Sequence, residues 1–266
     1  MAIIKVRFRS EALKRSVSFS VCLPLEDPPI PNIPRHNKAG KFKTMYLLHG
    51  FSGDEMDWIY YSDIDALSFK YNMAFVMPSI ENSFYLDDVK REAYYAKYLG
   101  EELVAFTRRA FPLSYKWEDT LIGGLSMGGY GAMRNGLYYH DVFGAIIALS
   151  SAYITDDVAA MPPGQGNPVA SYDYYEHTFG PPSELKGSDK DPKALASRLA
   201  EAKAVIPAIY MACGSEDFLI EQNRDNHRHL EKIGVPHRYD EGPGIHDFKF
   251  WNEYIDKALQ WYTELV

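Results

Sequence analysis

The sequence predicts an α/β protein with a mixed, mostly parallel sheet and helices on both faces. Three observations carry that expectation. Five compact apolar runs end in Gly, Ser or Pro: TMYLLHG (44–50), MAFVMPS (73–79), TLIGGLS (120–126), FGAIIALS (143–150) and IPAIYMACG (206–214). Longer amphipathic segments lie between most of them, roughly 55–70, 92–110, 127–139, 218–233 and 247–264. Buried strands alternating with helices are the signature of parallel βαβ units. The third observation is the start: IIKVRFR (3–9) and SVSFSVCL (16–23) alternate with a period of two and read as an antiparallel pair.

Taken along the chain, residues 24–43 hold five prolines and read as a surface loop. Residues 151–200 interrupt the alternation with Pro, Gly and Tyr clusters. An irregular excursion of that length between two central strands is expected to form a lid or binding wall within the same domain. No repeat of 20–50 residues is present, and 266 residues fit a single domain, 1–266.

Composition excludes several function classes. With 28 Lys plus Arg against 36 Asp plus Glu, the formal charge is −8, a poor match to a phosphate backbone, so nucleic acid is not expected as a partner. No run approaches the roughly 18–20 apolar residues of a membrane span. The opening MAIIKVRFRSEALKRS is charged throughout and lacks a signal-peptide pattern, so a cytoplasmic location is expected. Two cysteines, Cys22 and Cys213, lie in apolar runs and read as buried free thiols, with no metal-ligand spacing around them. No metal site is expected around them. Aromatics reach 14%, which builds cores first and ligand platforms second.

Chemistry concentrates at Gly124-Leu125-Ser126-Met127-Gly128, a G-x-S-x-G pattern between a strand signal and a helix signal. A tight strand-to-helix turn strains the serine backbone and projects its Oγ outward, while the flanking glycines let strand and helix approach. A serine hydroxyl needs a neighbouring base. Of eight histidines, His36 lies in the proline-rich loop, His140 at a helix end and His177 in the excursion; His227 and His229 read as solvent-facing and His237 as part of a strand. His246 follows the last strand and opens the last helix, at the sheet edge where α/β active sites gather. The order Ser…Asp/Glu…His then points to the SEDFL loop after IPAIYMACG. Asp217 is the expected acid, with Glu216 beside it as the alternative; Asp240 and Asp247 are less favourably placed. Two oxyanion donors are expected in the backbone N–H groups of Met127 and of Phe51, the latter in His49-Gly50-Phe51-Ser52-Gly53. His49 is expected to shape that loop. Aromatic substrate contacts are expected from Trp58, Tyr85, Tyr174 and Tyr175, with Tyr60, Tyr61 and Tyr172 nearby.

With these residues in order, the chain resembles the esterase D and tributyrin esterase-like group of the α/β-hydrolases. That group includes S-formylglutathione hydrolases and feruloyl and acetyl-xylan esterases. The resemblance runs through LLHGFSGDEMDW, SFYLDD, EEL, GLSMGGYGAM, CGSEDFL and GIHDFKFW, nearly the whole chain. It implies a serine esterase without cofactor whose nucleophile, acid and base match Ser126, Asp217 and His246, and whose oxyanion donors match Phe51 and Met127. HDFKFWNEY departs from the usual S-formylglutathione hydrolase surroundings of the histidine and looks like the tributyrin and feruloyl esterase branch. The expected substrate is a short-chain acyl ester, with acetyl or aryl esters of carbohydrates suggested by the aromatic faces, and a glutathione thioester or a non-catalytic carbohydrate-binding role as alternatives. A homo-oligomer stays open.

Overall fold

A computed structural model describes residues 1–26 and 40–265. Most of the expected proline-rich loop, including His36, lies outside the described residues. Strands β1 (Ala2–Arg9) and β2 (Ser16–Leu23) pair antiparallel, Ala2 opposite Leu23 and Arg9 opposite Ser16. Burial alternates residue by residue along β1, as an edge strand with one covered face requires.

After β3 (Lys43–Leu48), the single helix expected over 55–70 is divided into α1 (Asp57–Tyr61) and α2 (Ile64–Tyr71). Ser62 turns extended at φ −133°, ψ 169° and donates its hydroxyl to the Trp58 carbonyl, which stops the first helix. Asn72, left-handed at φ 48°, closes α2 before β4 (Met73–Pro78). A two-residue hairpin, β5 (Asp87–Asp88) and β6 (Ala93–Tyr94), precedes a helical run of α3 (Tyr95–Lys97), a π-helical Tyr98–Leu103 and α4 (Val104–Ala110). Next come β7 (Thr120–Leu125), α5 (Met127–Tyr138) and β8 (Ala145–Leu149).

The excursion is less irregular than expected. It holds α6 (Thr155–Ala159), α7 (Tyr172–Phe179) and α8 (Pro182–Leu185), and α9 (Pro192–Glu201) begins within it. Ser171 caps α7 by accepting from the Tyr174 N–H, and Asp191 caps α9 ahead of Pro192 at its first turn. The chain ends with β9 (Ala208–Gly214), α10 (Ile220–Lys232), β10 (His237–Gly242) and α11 (Phe248–Leu265).

The described residues form an eight-stranded sheet in the order β1-β2-β4-β3-β7-β8-β9-β10, in which only β2 runs against the rest. Alternate side chains serve two cores. Tyr46 and Leu48 of β3 face one with Ile122, Ile146 and Met211, while Met45 and Leu47 face the other with Leu121, Ile147 and Tyr210. The first core is closed by α5 residues such as Tyr130 and Met133, the second by α11 residues such as Ile255 and Leu259. No helix among the described residues is long and apolar enough to cross a membrane.

Strand β7 lies inside the sheet, between β3 and β8, and α5 leaves its carboxyl end directly over the neighbouring chain. A Cβ on Gly128 would fall 2.5 Å from the His49 carbonyl oxygen and 2.6 Å from that of Leu48. Backbone cannot yield as a flexible side chain can. Gly128→Ala is therefore expected to destabilise the fold by about 2 kcal/mol, a fall in Tm of roughly 4–8 °C in a thermal melt. An unchanged Tm would contradict this close approach.

Candidate active site

The turn from β7 into α5 places Ser126 at φ 55°, ψ −119°. This is left-handed territory that an L-residue adopts only under constraint. Three hydrogen bonds supply the constraint: Ser126 N–H to the Leu149 carbonyl at 2.9 Å, and Ala152 and Tyr130 N–H groups to the Ser126 carbonyl at 3.0 and 3.1 Å. Serine at a helix start ordinarily caps it through Oγ. Here Ser126 makes no such side-chain bond, so the hydroxyl is spared for the cavity that it lines.

Asp217 and His246 come from the next loops along the same sheet edge. Asp217 follows β9 and is buried; His246 follows β10. His246 Nδ1 lies 2.8 Å from Asp217 Oδ2 and 3.1 Å from Oδ1. A carboxylate there accepts the Nδ1 proton and leaves Nε2 as the basic nitrogen. Burial alone would raise the Asp217 pKa, but the His246 contact, the Leu219 N–H at 2.9 Å from Oδ1 and the nearby Ser150 hydroxyl hold it below the usual carboxylate value.

Glu216 points elsewhere: it is exposed and accepts the Gly244 N–H at 2.6 Å. Asp240 accepts from the Tyr210 hydroxyl, and Asp247 accepts the Phe250 N–H at the start of α11. Phe218 and Trp251 flank the imidazole, with ring centroids 4.6 and 4.9 Å from it, Trp251 at right angles. These apolar neighbours limit the rotations open to His246.

Gly50 and Phe51 line the same cavity as Ser126. Among the described residues, the N–H groups of Phe51 and Met127 donate to no protein acceptor, and both residues line the cavity. Met127 also begins α5, where free N–H groups and the helix dipole favour negative charge. His49 is buried and its two nitrogens are spent on backbone: Nε2 accepts the Ile80 N–H at 3.1 Å, so Nδ1–H donates to the Gly50 carbonyl at 2.7 Å. Burial lowers its pKa, which keeps it neutral in this bracing position.

The aromatic expectations need correction in part. Trp58 and Tyr85 are fully buried beneath the loop and do not line the cavity. The Trp58 indole N–H donates to the Leu48 carbonyl at 3.1 Å, and the Tyr85 hydroxyl donates to the His49 carbonyl at 2.8 Å. Tyr174 also lies outside the cavity lining; its ring packs edge-on against Phe51 at 5.7 Å and its hydroxyl donates to the Asn82 carbonyl. Tyr175 does line the cavity. Tyr60 and Tyr61 are exposed, Tyr172 faces Glu176, and His227 and His229 are half-buried against His237 and Ser197 rather than solvent-facing.

The cavity, about 760 Å³, is mainly apolar, with Phe51, Phe84, Met127, Ile154, Phe218 and Phe248 on its walls. Residues of the excursion, among them Ile154, Asp157, Asn167 and Tyr175, form part of it. Two carboxylates that the sequence did not single out, Asp57 and Asp157, also line it, and burial raises the Asp57 pKa. No Lys or Arg is found among the described lining residues. Nothing in the pattern around Asp57 or Asp157 separates them from surface acids; Phe218, which the sequence also did not single out, had a usable signal in its adjacency to Asp217.

If Tyr85 braces the loop from below, Tyr85→Phe removes one buried hydrogen bond and costs about 1–2 kcal/mol in denaturant unfolding. Its KM for p-nitrophenyl acetate is expected to stay within about twofold of wild type. A large rise in KM with unchanged stability would instead place the hydroxyl on the substrate.

The comparisons agree with this architecture. The family model described as putative esterase matches residues 10–262. An acetyl esterase of Caldicellulosiruptor saccharolyticus is 46% identical over 265 residues, covering 100% of this chain and 99% of the relative. Among solved structures, the substrate-bound fluorophosphonate-binding serine hydrolase F of Staphylococcus aureus superposes with a TM-score of 0.84 at 30% identity, covering 98% of each chain. S-formylglutathione hydrolase of the same organism gives 0.82 at 29% identity, again over 98% of each chain. The chain thus belongs to the esterase family and is a serine esterase of the α/β-hydrolase fold.

Proposed function

We propose that this enzyme hydrolyses short-chain carboxylic esters, acetyl esters foremost, through an acyl-enzyme on Ser126. The observation that carries the proposal is the convergence of Ser126 and the Asp217-bound His246 on one cavity whose wall presents two unspent backbone N–H groups. His246 Nε2 takes the Ser126 proton as Oγ attacks the ester carbonyl. The Phe51 and Met127 N–H groups receive the oxyanion, and Asp217 stabilises the imidazolium. The imidazolium protonates the departing alcohol. Water, deprotonated by the same nitrogen, then releases the acid and restores the serine.

The acetyl preference draws on the 46% identical acetyl esterase. The alcohol half is constrained by the cavity. Exposed Phe218 offers a flat face beside His246, and Asn167, Asp157 and Gln222 offer polar groups nearby, which suits a neutral hydroxylated or aryl alcohol, including an acetylated sugar. One structural relative is an S-formylglutathione hydrolase, which makes the glutathione thioester the second reading. Glutathione carries two carboxylates against one ammonium, and a lining with Asp57 and Asp157 and no Lys or Arg among its described residues disfavours it. A cytoplasmic setting fits the two free, buried thiols of Cys22 and Cys213.

Ser126→Ala is expected to lower kcat by on the order of 10⁴–10⁶ with an unchanged far-UV spectrum. Near wild-type ester hydrolysis in that variant would refute the assignment. For substrate choice, kcat/KM on p-nitrophenyl acetate and acetylated xylo-oligosaccharide should exceed that on S-formylglutathione by at least about tenfold. The reverse ranking would establish the thioesterase instead.

A further inference from the structure

A short chain of hydrogen bonds joins the 151–200 excursion to the Gly50–Gly53 loop, and it runs through Asn82. The Asn82 side-chain Oδ1 accepts the Ser52 N–H at 2.7 Å, and its backbone carbonyl accepts the Tyr174 hydroxyl at 2.7 Å. An N–H needs an acceptor, so the amide oxygen of Asn82 faces Ser52 and its nitrogen does not. The Tyr174 ring also packs edge-on against Phe51, with centroids 5.7 Å apart. One tyrosine of α7 therefore touches both Phe51 and the residue that holds its neighbour.

The backbone on both sides of this contact is strained. Ser52 is left-handed at φ 65°, and Phe84 and Tyr85 are left-handed in succession at φ 52° and 59°. Such conformations persist where their surroundings enforce them. The two peptide planes that flank Phe51 are both held. The Gly50 carbonyl accepts His49 Nδ1–H at 2.7 Å and the Gly53 N–H at 3.2 Å. In a trans peptide the N–H points away from the carbonyl, so this grip turns the Phe51 N–H to the opposite side. Asn82 holds the next plane through the Ser52 N–H. Helix α7 is in turn a fixed support. Buried Tyr175 donates its hydroxyl to Asn167 Oδ1 at 3.1 Å, and His177 Nε2 lies 2.7 Å from Asp88 Oδ2. Tyr175 and Asn167 line the cavity, so one helix carries part of its wall and the support of the loop.

We infer that Asn82 is a positioning residue for the Phe51 N–H, held in place by Tyr174, so that the excursion takes part in building the oxyanion site. The inference rests on the proposed role of Phe51 as an oxyanion donor. Without the Asn82 acceptor, Ser52 is free to leave the left-handed region and the Phe51 N–H loses its fixed direction. The loss falls on the transition state, where the carbonyl oxygen carries charge, and not on the binding of the neutral ester.

The test is hydrolysis of p-nitrophenyl acetate, with inhibition by an alkyl trifluoromethyl ketone, in Asn82→Ala, Tyr174→Phe and the double variant. Ser126 Oγ adds to the ketone carbonyl while its proton passes to His246, and the hemiketal oxygen then bears the charge that a reacting ester bears. Asn82→Ala is expected to lower kcat about 10–100-fold with KM within about twofold. The ketone should weaken by a similar factor, and Tm should stay within about 3 °C. Tyr174→Phe keeps the ring against Phe51 and drops the hydroxyl, for an expected loss of about threefold in kcat. Added to Asn82→Ala it should cost nothing further, because the two residues act in one chain. Wild-type kcat and ketone affinity in Asn82→Ala would overturn the inference, as would a lower Tm without loss of ketone affinity. Fully additive losses would overturn the link to Tyr174. Where Asn82→Ala does not fold, wild-type kcat and ketone affinity in Tyr174→Phe overturn it instead. A ketone that inhibits Ser126→Ala as well as wild type would show that the acyl-enzyme reading itself fails.

Discussion

The left-handed turn at Ser126 is the constraint on which the site depends. A side chain at φ 55° is tolerated because β8 and the segment after it hold both sides of the peptide, through Leu149 and Ala152. Several features follow from that geometry. Gly128 must lack a side chain so that α5 can pass over the carbonyls of Leu48 and His49, and a Cβ on Gly124 would in turn meet Gly128 at 2.6 Å. The Ser126 hydroxyl makes no capping bond to its own helix, and the Met127 N–H is left unspent beside it. The turn therefore places a hydroxyl and an anion-seeking amide at the same cavity. An ordinary serine cap would spend the hydroxyl on its own helix.

The same edge of the sheet fixes the electrostatics. Burying a carboxylate is unfavourable unless it is hydrogen-bonded, and Asp217 is bonded by His246 and Leu219. Its charge is thereby aimed at one nitrogen, while Glu216, one residue earlier, is exposed and spends its charge on a turn. Facing them, the Gly50–Gly53 loop is braced by His49, Tyr85, Trp58 and Asn82, whose Oδ1 accepts the Ser52 N–H at 2.7 Å. Preorganised amides stabilise developing charge only if they need not move to do so, which on the proposed mechanism gives this buried bracing a chemical purpose.

Much of this was legible in the sequence, and the limits have physical causes. Strand ends and chain order located Ser126, the SEDFL loop and His246, because a parallel sheet gathers its carboxyl ends on one edge. Adjacent carboxylates in one loop cannot be ranked by spacing, so Asp217 and Glu216 separated only when their directions were seen. The aromatic residues misled for a similar reason. Trp58 and Tyr85 flank loops that border the cavity, yet pattern does not distinguish its rim from its underside. Tyr174 and Tyr175 are neighbours on α7, where successive side chains diverge by about 100°, and only Tyr175 reaches the lining. The break at Ser62 and the two-residue hairpin β5–β6 are too local for periodicity to register. The helices of 151–200 are short, but the caps at Ser171 and Asp191-Pro192 were a usable signal.

On the proposed mechanism the strained turn presents Ser126 as the single activated nucleophile. Stoichiometric labelling with an alkyl fluorophosphonate, followed by peptide mass spectrometry, tests it most directly. One adduct is expected, on Ser126, with ester hydrolysis lost in proportion to labelling. An adduct on another residue, or hydrolysis that persists when Ser126 is fully modified, would contradict it.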